Sequence, residues 1–303
     1  MKTILLTGAT GYIGKRAIQF LLEHDFVVYA TTSKKLLPEN SKHLFWQCID
    51  LLDSNQTEEL IAETRPSYLL HLAWYVEHGK FWNAPENLKW ARASLNLIEL
   101  FAKYGGQRVV AAGTCAEYDW SESGVFNEQT SALRPLTLYG ASKHGFYLIA
   151  GKFAETVNLS FAWGRIFFPF GFDEPPNRLI PSVARALLKN EPAKCSHGEQ
   201  IRDFMFVEDT AAAFVALLDS EVKGAVNIAS GNGVKIKTVV ESIAEIIGRK
   251  ELLQIGALPA SPNEPPILVG DVNRLRKEVN FYQKNNLQLN LARTVNFWKN
   301  KTF

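Results

Sequence analysis

Cysteine is scarce: Cys48, Cys115 and Cys195 are the only three in 303 residues, and they lie far apart. An odd, scattered set suits neither a disulfide framework nor a zinc site, so no metal is expected and a reducing cytoplasm is the expected setting. Charge of one sign is lacking too. The net charge is +2, with no basic block to hold nucleic acid and no acidic tail. Long apolar runs are missing: none reaches membrane-spanning length, and the first residues lack a charged-then-apolar leader with a cleavage site. No solenoid-type repeat recurs. What remains is a globular chain, long enough for one large domain or a main domain with a smaller lobe.

What is present is concentrated at the start. Residues 2–22 read KTILLTGATGYIGKRAIQFLL: an apolar run, a glycine-spaced turn, then a helical pattern. Ile4, Leu5 and Leu6 suit a strand covered on both faces. Gly8, Gly11 and Gly14 follow at G-x-x-G-x-x-G, and Ile13, Ala17, Ile18, Leu21 and Leu22 recur at helical spacing. Glycines let the backbone bend sharply and pass close to a ligand. The free N–H groups and positive dipole end of the helix favour a phosphate. Strand, glycine turn and helix together predict a dinucleotide site, with Gly8, Thr10, Gly11, Tyr12 and Ile13 on the cofactor.

Further strands are predicted at Phe26–Ala30, Phe45–Ile49, Tyr68–Leu72 and Arg108–Ala112, with helices beginning near Thr57 and Ala91. Strand, helix, strand at this spacing makes a parallel sheet, with ligands beyond its carboxyl ends. Thr32, Ser33 and Lys34 follow the second strand. With no acidic residue there for a ribose 2′-hydroxyl, NADP(H) is expected over NAD(H). Asp50 and Leu51 follow the third strand; Asp50 reads as an adenine contact or a helix cap. Leu72, Ala73 and Trp74 follow the fourth, which places them near the cofactor. The loop Tyr75–Asn87 holds His78, Phe81 and Trp82, either a substrate grip or lid packing. His71, in an apolar run, reads as a satisfied core histidine.

Tyr139 and Lys143 stand at i and i+4, so on a helix they point the same way. A phenol with a pKa of about 10 is a poor acid or base at neutral pH. An adjacent ammonium pulls it toward neutrality, where proton transfer is most effective. Thr114, at a strand's carboxyl end, can bond the same substrate oxygen. Thr114, Tyr139 and Lys143 are thus the expected catalytic set, with Tyr139 and Lys143 also on the cofactor.

TGATGYIG, HLAW, GTCAEY, YGASK and GEQIRDFMFVEDTA together resemble an extended short-chain dehydrogenase/reductase of the NAD-dependent epimerase/dehydratase group. The resemblance implies an α/β fold, a Rossmann doubly wound parallel sheet with a smaller C-terminal substrate lobe. The dinucleotide domain is expected over 1–165 with 205–230 returning to it, and the lobe over 166–204 and 231–303. It implies a nucleotide-sugar substrate and a homodimer through helices near 91–104 and 140–156. It places Ile166 on the cofactor and Arg202 on the substrate pyrophosphate, where a guanidinium suits two phosphate oxygens; the alternative for Arg202 is a structural pair with Asp203 or Asp209. Trp74, Thr114, Cys115, Phe168 and Arg178 complete the expected substrate contacts. Cys115 and Ala116 stand where 4,6-dehydratases carry an Asp-Glu pair, which disfavours water loss. Phe168 stands where relatives often have Asn. Cys115 reads as an apolar filler or an acid/base. The leading expectation is NADPH-dependent reduction of a keto group, at C4, on a nucleotide-linked deoxy-sugar; the alternative is an NAD-retaining C4 epimerase, with a non-catalytic regulator a distant third.

Overall fold

The structure is a computed structural model that describes residues 2–260, 265–284 and 286–302. In chain order it begins with β1 (Lys2–Thr7), α1 (Gly14–Glu23), β2 (Phe26–Thr32), β3 (Leu44–Cys48), α2 (Ser54–Thr64), β4 (Tyr68–His71), α3 (Glu86–Lys103) and β5 (Arg108–Thr114). Next come β6 (Gly124–Phe126), α4 (Leu138–Thr156), β7 (Ser160–Ile166), β8 (Phe168–Phe170), α5 (Leu179–Leu188), β9 (Ala193–Cys195) and β10 (Ile201–Phe206). The remainder is α6 (Val207–Asp219), β11 (Gly224–Ile228), β12 (Gly233–Lys235), α7 (Ile236–Ile247), β13 (Leu253–Ile255), β14 (Ile267–Gly270), α8 (Asn273–Lys277) and α9 (Leu287–Thr302).

Seven strands form one parallel sheet in the order β3-β2-β1-β4-β5-β7-β11. Buried on both faces, β1 and β5 read as nearly unbroken apolar runs. One face packs on α1 and α6 through residues such as Ala17, Leu21, Phe214 and Leu218. The other packs on α2, α3 and α4 through Leu60, Ile98, Phe101 and Phe146. The chain builds outward from β1 to β3, then crosses back to place β4 on the other side of β1. That reversal is the switch point of a doubly wound sheet, where ligands bind.

The C-terminal lobe has its own core, in which α5, α7 and α9 bring together Ile180, Leu187, Ile243, Leu291 and Trp298. A second sheet, β12-β10-β14-β6 with β8 beside β10, borders it. β6 lies within residues 1–165 yet pairs with β14, while α6 and β11 pack on the large sheet, so the chain crosses between the two units more than once.

Several element ends differ from the sequence reading. α3 starts at Glu86 rather than near Ala91, because Pro85 opens a helix that already holds Asn87 and Trp90. α2 starts at Ser54, and its cap is Asp53, whose Oδ1 accepts from Asn55 N (2.9 Å) and Gln56 N (3.2 Å). Asp50 is not the cap; it accepts from Leu52 N. The sequence of residues 256–266 is Pro-rich and reads as a loop; its residues 261–264 lie outside the described residues. No described helix is long and apolar enough to cross a membrane.

Candidate active site

The glycine turn closes at the switch point. Gly8 has φ +70°, and a Cβ there would meet Ala73 N, just beyond β4, at 2.8 Å. Gly11 N donates to Gly8 O (2.8 Å), and a Cβ at Gly14 would overlap that same carbonyl. The turn therefore folds onto itself and onto the end of β4, leaving a close-walled cradle at the start of α1. Thr10 and Thr32 meet through their hydroxyls (3.2 Å), which joins the turn to the end of β2. Ser33, Lys34 and Asp50 are exposed beside them, and Leu51 is buried. Ile166 ends β7 and pairs in register with Thr114 of β5. These residues thus gather at the carboxyl ends of the sheet's strands.

Thr114 and Tyr139 come together there. Thr114 caps a 3₁₀ turn, Cys115–Glu117, its hydroxyl accepting from Ala116 N (3.2 Å). Thr137 caps α4 by accepting from Gly140 N (3.1 Å), which fixes Tyr139 in the first turn. α4 lies close on the 3₁₀ turn, since a Cβ at Gly140 would overlap Ala116 O. Burial pushes the Tyr139 phenol well above its ordinary range, and the charges of Cys115 and Glu117 push the same way; the Thr114 hydroxyl and Arg178 pull it down.

Lys143 departs from expectation. Its ammonium turns from the phenol, donates to Ala112 O (2.8 Å) and lies 3.8 Å from the centre of the Trp74 ring. A carbonyl and an indole face hold a desolvated cation better than a neutral phenol does. Burial pushes Lys143 down to about 7, against the charge of Glu117, which raises it.

The aromatic loop reaches the site. Phe81 meets Tyr139 edge-on (4.8 Å between ring centres), and Trp82 does so at 5.9 Å. Asn87 anchors the loop, accepting from Trp74 Nε1 (2.9 Å) and donating to Phe81 O (2.7 Å) and Ala84 O (2.9 Å). His78 instead stands exposed at the loop's tip. Cys115 is buried in the main core, its thiol pushed up to about 12 by burial. His71 is the satisfied core histidine expected, bonded to Thr7 (2.7 Å) and Ser94 (2.8 Å) and pushed down to about 3 by burial.

Arg202 is buried and donates to Pro265 O (2.8 Å), with its guanidinium 5.7 Å from the Phe168 ring centre. The structural pair with Asp203 is not formed: Asp203 accepts from Ser230, Gly231 and Gly270. Nor is the pair with Asp209, which accepts from Lys284 N. Arg178 pairs with Glu174 (3.2 Å), whose carboxyl burial pushes up to about 7.

Glu117 escaped the sequence reading. It is fully buried and bonded to Thr114, Trp163 and Arg165. Thr114-Cys115-Ala116-Glu117 has the T-x-x-E spacing of a capping box, the signal that marks it.

Comparison with known proteins agrees with this geometry. A UDP-glucuronate 4-epimerase of Thermodesulfobacterium geofontis is 25% identical over 97% of this chain and 95% of its own. A GDP-6-deoxy-D-talose 4-dehydrogenase of Aggregatibacter actinomycetemcomitans is 24% identical over 90% and 89%. The structure of MoeE5 in complex with UDP-glucuronic acid and NAD covers 99% of this chain and all of that one, at TM-score 0.83 and 26% identity. Residues 4–229 match the model of the NAD dependent epimerase/dehydratase family. With the glycine cradle at the switch point and Thr114 beside Tyr139, the chain belongs to that family, as an enzyme of the extended short-chain dehydrogenase/reductase type.

Proposed function

We propose that this enzyme is a nucleotide-sugar 4-epimerase that keeps NAD and leaves it unchanged over a full turnover. The observation that carries the reading is the Thr114–Tyr139 pair at the carboxyl ends of the strands beside the glycine cradle. It stands in a chain that spans nearly the whole of a UDP-glucuronate 4-epimerase. The MoeE5 structure, which contains NAD, supports NAD over the NADP(H) first expected.

The cradle fits a dinucleotide, because a side chain at Gly8 or Gly14 would fill it. Gly8, Thr10, Gly11, Tyr12 and Ile13 would hold the pyrophosphate, and Thr32, Ser33 and Lys34 the adenosine ribose. Asp50 and Leu51 would meet the adenine, with Leu72, Ala73, Trp74 and Ile166 toward the nicotinamide. Bound there, NAD supplies a hydride acceptor and later a donor. As phenolate, which the positive nicotinamide charge would favour against the burial that raises the phenol, Tyr139 takes the proton from the C4 hydroxyl and returns it to the oxygen once the sugar has turned over. Thr114 orients that oxygen, and Lys143 is fixed under Trp74 beneath the site. Phe81 and Trp82 wall the sugar and exclude water, while Arg202 and Arg178 meet the nucleotide phosphates. Exposed Leu88 on α3 and Leu148 and Ile149 on α4 support a homodimer through those helices.

Reduction at C4 is the second reading. It is favoured by the absence of an acidic residue in the run Thr31–Lys35 and by the 4-dehydrogenase relative. Incubation with UDP-, GDP- and CDP-linked sugars, followed by NMR of the C4 proton, separates the two. The epimerase gives the C4 epimer without net change in nicotinamide absorbance, whereas a reductase consumes cofactor in step with product.

A further inference from the structure

Glu117 touches neither substrate nor cofactor in the reading above, yet it is the charge most completely enclosed beside Thr114, with no exposed surface. Its Oε1 accepts from Thr114 N (2.8 Å) and Trp163 Nε1 (2.9 Å). Its Oε2 accepts from Arg165 Nε (3.0 Å) and lies 3.9 Å from His144 Nδ1. These partners belong to β5, β7 and α4, and α4 carries Tyr139 and Lys143. Room for the carboxylate is built in, because a Cβ at Gly113 would come within 2.7 Å of Oε1.

Burying an ion pair costs desolvation that an apolar pair of the same volume avoids, so Glu117 and Arg165 are a weak device for stability alone. Their arrangement has a geometric consequence instead. The Thr114 N–H is the last backbone donor of β5, and Glu117 closes the turn by accepting it while the Thr114 hydroxyl accepts from Ala116 N (3.2 Å). With both bonds made, the turn that carries the Thr114 hydroxyl is tied to β7 through one carboxylate.

We infer that Glu117 is a positioning residue that fixes the Thr114 hydroxyl opposite Tyr139 by tying the end of β5 to β7 and facing α4. The inference rests on the epimerase reading for what Thr114 does, and on geometry alone for what holds it. A misplacement of about 1 Å at such a group lowers turnover by about 10²-fold without weakening binding.

The carboxylate also faces Lys143, whose other neighbours are Ala112 O, the Trp74 and Trp163 rings and neutral His71. Around Glu117 the charged and titratable groups are Cys115 on its own turn, Arg165 on β7, and His144, Lys143 and Tyr139 on α4. Removing the negative charge therefore lowers the proton affinity of Lys143, an effect a purely structural residue would not produce.

The test uses two paired variants of the full chain, each neutralising Arg165 so that no lone guanidinium stays buried. Glu117→Gln with Arg165→Met keeps an acceptor for Thr114 N; Glu117→Leu with Arg165→Met removes it. The Leu pair is expected to lose 10–100-fold in kcat, on the scale of a misplaced group, with KM within about threefold. The Gln pair is expected to recover kcat to within about fivefold, with the basic limb of its pH–rate profile moved to lower pH. A folded Leu pair with wild-type kcat and pH profile overturns the inference. Hydrogen exchange of residues 113–118 in the wild-type protein decides the case where the variants do not fold. Exchange as slow as the core of β5 supports the tie, and loop-like exchange overturns it. That arm needs no activity, so wild-type protein inert on every nucleotide sugar sinks the epimerase reading and leaves the tie to be judged separately.

Discussion

The ammonium of Lys143 lies 3.8 Å from the centre of the Trp74 ring and 2.8 Å from Ala112 O. Helical spacing alone puts Lys143 beside Tyr139; the structure puts its charge one layer lower, on the floor of the site. Burial has brought its pKa down to about 7, from 10.5 in the unfolded chain. Between those values the unfolded chain holds a proton that the folded one has shed. The stability associated with this group is therefore complete above about 10.5, and is lost as pH falls through about 7. Lys143→Met should raise the melting temperature relative to wild type most at pH 6, with the gap narrowing toward pH 10. Thermal melts across that range check this, and a gap that widens with pH would reverse the sign.

Glu174 behaves in the opposite sense. Its carboxyl is buried beside Arg178 and raised to about 7, so the stability it contributes is present below about 4.5 and lost as pH rises through 7. Glu174→Gln, which keeps an acceptor for Gly171 N, should match wild type near pH 4.5 and exceed it at pH 8 by up to about 3 kcal/mol. Chemical denaturation at the two pH values measures the difference; equal stabilities at pH 8 would show that the ion pair outweighs burial.

The glycine cradle gives a steric prediction. A methyl group at Gly14 would overlap Gly8 O, and backbone on both sides leaves no flexible neighbour to yield. Gly14→Ala should cost about 1–3 kcal/mol of stability and weaken NAD binding by at least about tenfold, as read by calorimetric titration. Wild-type affinity would place the dinucleotide elsewhere.

Much of this was legible before any coordinates. The strand–turn–helix opening, Thr114 at the end of β5 and the first turn of α4 follow from local patterns that tertiary packing does not override. The apolar residues of Ile236–Ile247 recur at helical spacing, and α7 covers that same stretch. The second sheet was not legible: β6, β8 and β12 have three residues each, too few to show alternation, and β6 finds its partner β14 far along the chain. The direction of Lys143 was hidden because i, i+4 spacing fixes the root of a long side chain and not its tip. Glu117 was legible and overlooked, since T-x-x-E is a capping pattern whichever element follows it.

Tyr139→Phe removes the hydroxyl to which the proposed epimerase reaction assigns the C4 proton while keeping the edge contacts with Phe81 and Trp82. Turnover should fall by about 10²-fold or more, with NAD affinity within about twofold. Comparable turnover would assign proton transfer to another group.

The central claim is most directly tested by following one sample of enzyme, NAD and UDP-glucuronic acid by NMR and by absorbance at the nicotinamide band. The account predicts growth of the C4 epimer, or of the epimer of another nucleotide sugar where that one is refused, at constant absorbance. Product formed only as reduced cofactor is consumed, mole for mole, would contradict it.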